Sequence, residues 1–290
     1  MVQEAQIYGI EPVTMGDFRI FTSIRYDPEL LKIPSFGFSN VGWNSKPSPF
    51  YMLDLHRDRM LRAATHWDWP AAIASISGEE GLEKLEKFLQ SVTTDLVNGA
   101  HRLMITLARD GSLSYEKSSL PGTHLHNLYP EHLPSQSPDS QISTLVTEGK
   151  VPIRDPIYDI FLDNQKTTKS EFTHFKTTSR DMYNDARKRA QIKPGDKKEV
   201  LIINDDGFIM EGTISTPYFW RGGKWVTPPV PKKFDPFQGS GGNDGTTRRW
   251  ALERNLATEE AVLAESLRDG EECWISNGLR GFICGRVKLR

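Results

Sequence analysis

The sequence predicts an α+β chain of two domains, the first over residues 1–128 and the second over 129–290. Three observations predict it. Apolar residues recur at helical spacing in the first half, between Glu80 and Val97. Turn-punctuated hairpin patterns crowd the second half, which makes its sheet mostly antiparallel. Between them, LPGTHLHNLYPEHLPSQSPDS (120–140) is rich in Pro, Ser and His, has no period, and reads as a linker.

The elements follow in order. Residues 34–49 (PSFGFSNVGWNSKPSP) read as a long loop. A helix is expected from Leu53 to Trp67, where Met60, Leu61, Ala64 and Trp67 share a face. The Glu80–Val97 helix carries Leu82, Leu85, Phe88, Leu89, Val92 and Leu96 with Glu and Lys between them. RLMITLA (102–108), Asp110-Gly111 and SLSY form a hairpin pattern. A helix over 179–192 would take Ser179 as its N-cap. EVLIIN (199–204), Asp205-Asp206-Gly207 and FIMEG give a second hairpin, and TPYFW, Gly222-Gly223 and KWVT a third. GSGGNDGTTRRWALERNLA (239–257) is a glycine-rich loop opening a helix, and ECWISN and GFICGRV are closing strands.

Composition narrows the function. The 290 residues carry a formal net charge of −2, so no broad basic surface for nucleic acid is expected. No apolar run reaches the length of a membrane span, and the N-terminus shows no secretory pattern. Cys273 and Cys284 are too few for a disulfide framework. These features point to a soluble, cytoplasmic protein.

Few residues point to chemistry by themselves. Gly239, Gly241, Gly242 and Gly245 let the backbone approach a ligand, and Thr246 and Thr247 then start a helix whose N–H groups suit a phosphate. A flexible surface loop with a threonine cap fits the same residues. His124 and His126 alternate, but no third ligand stands at a telling spacing, so no metal is expected. Arg57, Arg59 and Arg62 decorate the first helix as solvated charges or as phosphate donors. Phe172 and Phe175 flank Lys176 closely enough for partial burial, which lowers a lysine pKa and favours Schiff-base chemistry. Glu211 ends the apolar run FIM as an exposed strand end or a buried, paired carboxylate.

Six segments in family order resemble the class-IV aminotransferases, the fold-type IV pyridoxal-phosphate enzymes. They are MGDFRIFTSIRYD, LHRDRML (H-x-x-R-L), HFKTTSR (K-x-x-x-R), INDDGFIMEGTISTPYFW, GNDGTTRRW and ISNGLRGF. Within the family, the strings lean toward the aminodeoxychorismate lyases. Thr216 stands where the family carries asparagine after the glutamate. The resemblance implies a small N-terminal α/β domain, a larger C-terminal domain with a barrel-like core, an active site between the two and a homodimer. It implies pyridoxal 5'-phosphate held by Lys176 as a Schiff base, Glu211 on the pyridinium nitrogen, and Arg59, Thr246, Thr247, Ser276 and Asn277 on the phosphate. Arg25, Arg180 and Arg102 are the candidates for substrate carboxylates. The implied substrate is a small molecule bearing carboxylates and an amine. The leading reaction is conversion of 4-amino-4-deoxychorismate to 4-aminobenzoate and pyruvate. The alternatives are transamination of an amino acid or amine, and a non-catalytic ligand-binding relative.

Overall fold

The structure, a computed structural model, describes residues 18–36, 47–96, 98–134 and 151–289. Most of the loop expected over 34–49 and the second part of the expected linker fall outside them. The chain divides into two compact units, Met1–Gly122 with Phe175–Ser179, and Thr123–His174 with Arg180–Arg290.

The first unit is an antiparallel sheet with helices. Strands β1 (Ile20–Tyr26), β2 (Ala100–Leu107) and β3 (Leu113–Leu120) lie in chain order, with Ile20 opposite Leu107 and Arg25 opposite Arg102. The β2–β3 hairpin turns at Gly111, whose φ of 83° favours glycine. Helix α1 (Leu53–His66) buries Leu53, Met60, Ala63 and Ala64. Helix α2 (Pro70–Ile76) was not legible as a separate element; Pro70 occupies its first turn, where a missing N–H costs nothing. A Cβ on Gly81 would lie 2.1 Å from the Ile76 carbonyl carbon, so α3 (Gly78–Val92) starts hard against the end of α2. The apolar period that predicts α3 to residue 97 outruns the helix. Thr93 and Thr94 turn their hydroxyls back onto the Leu89 and Ser91 carbonyls at 2.9 and 3.2 Å, and the helix stops.

Residues Phe175–Ser179 extend this sheet at the edge of β1. Ile20 bridges Thr177, the Phe21 N–H donates to the Lys176 carbonyl at 3.1 Å, and the Thr178 N–H donates to the Arg19 carbonyl at 2.9 Å.

The second unit holds a curled, half-barrel-like mixed sheet of eight strands. They are β4 (Tyr158–Lys166), β5 (Lys198–Ile203), β6 (Ile209–Gly212), β7 (Thr216–Arg221), β8 (Lys224–Thr227), β9 (Thr258–Glu259), β10 (Glu272–Asn277) and β11 (Gly281–Lys288), in the order β6-β5-β4-β11-β10-β7-β8-β9. The expected hairpins β5–β6 and β7–β8 are present, the two closing strands β10 and β11 pair antiparallel, and β10–β7 is a fourth antiparallel pair. The three parallel pairs, β4–β5, β4–β11 and β8–β9, join segments distant in sequence. Leu201 and Ile209 pack with Ile160, Phe219 and Ile275 into one core cluster, while Val200, Ile202 and Met210 join Tyr183 and Ala186 in another. This split follows the two-residue period of a strand.

Helices α4 (Leu125–Leu128), α5 (Glu171–His174), α6 (Asp181–Arg189) and α7 (Thr246–Glu253) complete the unit. Ser179 does not cap α6; its cap position is Arg180, which makes no side-chain cap bond. Residues 125–134 differ from the unpatterned linker the composition suggests. The Asn127 amide donates to the Ile153 and Phe282 carbonyls at 2.9 and 2.8 Å and accepts from the Ile153 N–H at 3.1 Å. Leu128, Tyr129 and Leu133 are buried. One asparagine supplies the partners that a periodic pattern would otherwise have announced.

Cys273 and Cys284 are buried, reduced thiols on neighbouring strands. Burial pushes the Cys284 thiol up to about 11 and the Cys273 thiol well above its ordinary value. Both are therefore expected to resist a thiol-disulfide reagent in the native protein near about pH 8 and to react in denaturant. A fast native reaction at either would contradict their burial.

Candidate active site

In the first unit, strand β1, helix α1 and the segment 175–179 bring four polar side chains together. Lys176 rides on the edge of β1, its Nζ 4.6 Å from the Phe21 ring centroid. Thr22, the next residue on β1, is fully buried. Its hydroxyl lies 2.6 Å from His56 Nδ1 and receives Arg59 Nη2 at 2.6 Å. Arg59 Nη2 also lies 3.4 Å from His56 Nδ1. A guanidinium only donates, so Nδ1 is the accepting nitrogen, the Thr22 proton points to it and the His56 proton sits on Nε2. Burial, then the charges of Arg59 and Lys176, hold the His56 pKa well below its usual value, so the ring is neutral at physiological pH. Its Nε2 is buried with no hydrogen-bond partner among the described residues. A buried donor in one cluster with a guanidinium fits an anion such as a phosphate.

In the second unit the glycine-rich loop and α7 form another polar cluster. A Cβ on Gly242 would lie 2.6 Å from the Met210 carbonyl oxygen and 3.2 Å from Glu211 Cβ, so only glycine lets the loop lie on β6 at this point. Gly245 caps α7 without a side-chain bond, and Thr246 and Thr247 behind it are buried. The Thr247 and Ser276 hydroxyls are 2.8 Å apart, and Tyr218 Oη lies 2.9 Å from Ser276 Oγ. Uncapped amides with buried hydroxyls again fit a phosphate. Arg248 anchors the loop through Asp244 at 2.8 Å, the Pro228 carbonyl at 2.9 Å and Glu259. Asn277 builds the β10–β11 turn, its Oδ1 accepting the Leu279 and Arg280 N–H groups at 3.0 Å.

Glu211, buried on β6, accepts a 2.5 Å hydrogen bond from the Tyr183 hydroxyl on α6. The three arginines nominated for substrate carboxylates all have protein partners. Arg25 is fully buried, with Nε and Nη2 on Asp27 Oδ2 at 2.9 and 2.7 Å. Arg180 Nη2 donates to the Thr213 carbonyl at 3.0 Å while its guanidinium lies over the Tyr183 ring. Arg102 Nη2 lies 3.0 Å from Met104 Sδ. Sequence reasoning missed Thr22, Tyr183 and Tyr218, which stand in strand and helix patterns where nothing separates a core hydroxyl from a functional one. Among the described residues no group of three His, Cys, Asp or Glu side chains could hold a metal, and no helix is long and apolar enough to cross a membrane.

A mixed eight-stranded sheet, a glycine loop opening a helix, and a lysine segment edge-paired to a separate antiparallel sheet define the fold of the type IV pyridoxal-phosphate enzymes. The chain belongs to the Amino-transferase class IV family, whose sequence profile matches residues 42–284. It is 32% identical over 145 residues to an aminodeoxychorismate lyase of Saccharomyces cerevisiae, a match covering 46% of this chain and only 38% of that protein. It is 26% identical over 245 residues to an aminodeoxychorismate lyase of Bacillus subtilis, covering 80% of this chain and 71% of that protein. Its fold matches a hypothetical aminotransferase of Mycobacterium tuberculosis, solved with α-ketoglutarate and PMP bound, with a TM-score of 0.59 and 14% identity over 96% of this chain and 86% of that one.

Proposed function

We propose that the chain is a pyridoxal-phosphate-dependent enzyme that transfers the amino group of a small amino acid or amine. The observation that carries this is the cluster of Lys176 with Thr22, His56 and Arg59, which supplies an amine nucleophile together with a buried anion-binding set. Arg59, the α7 amides, Thr246, Thr247 and Ser276 would hold the cofactor phosphate, Lys176 its aldehyde carbon and Glu211 its ring nitrogen. When bound, the cofactor supplies an electron sink for the bond broken at the substrate carbon. Lys176 would take the proton from the substrate carbon that bears the amine. Glu211, a carboxylate, favours positive charge at the ring nitrogen. The neutral His56 ring would add a donor for the phosphate and no further positive charge to a cluster that already holds Lys176 and Arg59.

A second reading is cleavage of 4-amino-4-deoxychorismate to 4-aminobenzoate and pyruvate, supported by the names of the two sequence relatives. Its substrate carries two carboxylates, and the arginines nominated for them are engaged with protein groups, so the geometry gives it less support. The test is to load purified protein with pyridoxal phosphate and supply either an amino donor with a keto acid or aminodeoxychorismate. Appearance of a keto acid from the donor is expected. Formation of 4-aminobenzoate and pyruvate, without amino transfer, would replace this reading by the second. A protein that stays colourless with added cofactor defeats both and leaves a non-catalytic ligand-binding relative.

A further inference from the structure

We infer that Tyr183 is a positioning residue that fixes the carboxylate of Glu211 against the cofactor ring nitrogen. The inference rests on the reading above, in which Glu211 takes that nitrogen, and adds a residue from a different element to the set.

The geometry carries it. Tyr183 stands on α6, a helix of nine residues packed on β5, and its side chain reaches Glu211 on β6. Its hydroxyl lies 2.5 Å from Glu211 Oε1 and 3.3 Å from the Thr173 carbonyl. A phenol has one proton to donate. The shorter contact, to an ionised acceptor, takes it, because a charge-assisted bond is roughly twice as strong as a neutral one. The donor is also fixed in its protonated form: burial, and then the Glu211 charge, raise the Tyr183 pKa well above its ordinary value, against a smaller opposing effect of Arg180. Tyr183 therefore stays a donor throughout the working pH range.

The phenol is itself braced. The Arg180 guanidinium lies over the ring, 5.0 Å from its centroid, while its Nη2 is tied to the Thr213 carbonyl at 3.0 Å. At the base of the side chain, the glycine-rich loop lies against Glu211 Cβ through Gly242. Glu211 is thus met at its carboxylate by a hydroxyl and at its Cβ by loop backbone. A carboxylate that would pair with a ring nitrogen must be anionic and held in one orientation. A fixed hydroxyl on one oxygen meets the second requirement without adding a charge.

The test compares Tyr183→Phe, Glu211→Gln and the double variant with the wild-type protein, each loaded with pyridoxal phosphate. The readouts are the visible absorbance band, its pH titration and the affinity of the apoprotein for the cofactor. Tyr183→Phe keeps the ring, so the melting temperature should hold within a few degrees. The band titration should shift, and turnover should fall about tenfold with KM little changed, the size expected for one lost hydrogen bond to a charged group. In the Glu211→Gln background the same tyrosine change should move the band no further, because the two residues act as one unit. An unshifted titration in Tyr183→Phe, or an equal shift in both backgrounds, overturns the positioning role while leaving the functional reading intact. If Glu211→Gln leaves band and titration as in wild type, the assignment of Glu211 to the ring nitrogen fails, and this inference fails with it. A wild-type protein that shows no band at all refutes the functional reading itself.

Discussion

Lys176→Ala is expected to abolish covalent capture of pyridoxal phosphate and to lower turnover by at least about a thousandfold, the scale of a lost general base that is also the covalent anchor. Phe175–Ser179 pairs with the edge of β1 through the Ile20–Thr177 bridge and two flanking hydrogen bonds, so the lysine sits on a sheet edge rather than a mobile loop. Its ammonium lies over the Phe21 ring and within electrostatic reach of His56. The check is chemical. Borohydride added to the loaded wild-type protein should reduce the C=N bond and leave a phosphopyridoxyl mass on the one peptide containing Lys176. The alanine variant should carry no such mass and no visible band, with its melting temperature near wild type. A label on a different lysine in the wild type would reassign the anchor, and unchanged turnover in the variant would remove Lys176 from the reaction.

How much of this was legible in the sequence depends on the range of the interactions involved. The β5–β6 and β7–β8 hairpins were readable because Gly207, Gly222 and Gly223 take positive φ at the turns, a local requirement that leaves a local mark. The placement of β4 between β5 and β11 was not, because parallel neighbours need no turn signal between them. Lys176, Arg59 and Glu211 were named through the family's motifs, and the glycine loop through its own composition. Thr22 and Tyr183 were invisible for the opposite reason. Each acts through a hydrogen bond to a residue more than twenty positions away, and a threonine in a strand or a tyrosine in a helix leaves no trace of its partner. The fit of His56 to an anion shows the same limit. The motif places a histidine there without giving it a role, and only the Thr22 and Arg59 contacts tell which ring nitrogen carries the proton.

Glu199→Ala is expected to be the most destabilising substitution outside the apolar core, costing about 3–5 kcal/mol, the usual penalty for breaking a buried charge network by removing one member. Glu199 lies on β5 with 1% of its surface exposed. Its Oε1 accepts the Thr213 hydroxyl at 2.6 Å and the Val200 N–H at 2.9 Å. Its Oε2 accepts the Ser215 hydroxyl at 2.7 Å and the Ile214 N–H at 3.3 Å. Arg187 stands 3.6 Å from Oε1 and donates to Thr213 Oγ1 at 3.1 Å. One carboxylate thus organises the turn joining β6 to β7, immediately after Glu211. The fit is tight: a Cβ on Gly212 would lie 2.5 Å from Ser215 Oγ and 3.0 Å from the Glu199 side chain. Alanine leaves a buried guanidinium, two hydroxyls and two amides short of an acceptor. Glutamine keeps one carbonyl oxygen and the shape, so it should cost less than alanine. Denaturant titration of the three proteins measures the difference. A loss below about 1 kcal/mol for alanine would mean that water or a local shift replaces the carboxylate, and that the turn does not depend on it. Because the turn follows directly on Glu211, the alanine variant should also bind pyridoxal phosphate more weakly than the glutamine variant at a temperature where both are folded. Equal affinities would separate the stability of the turn from the placement of Glu211.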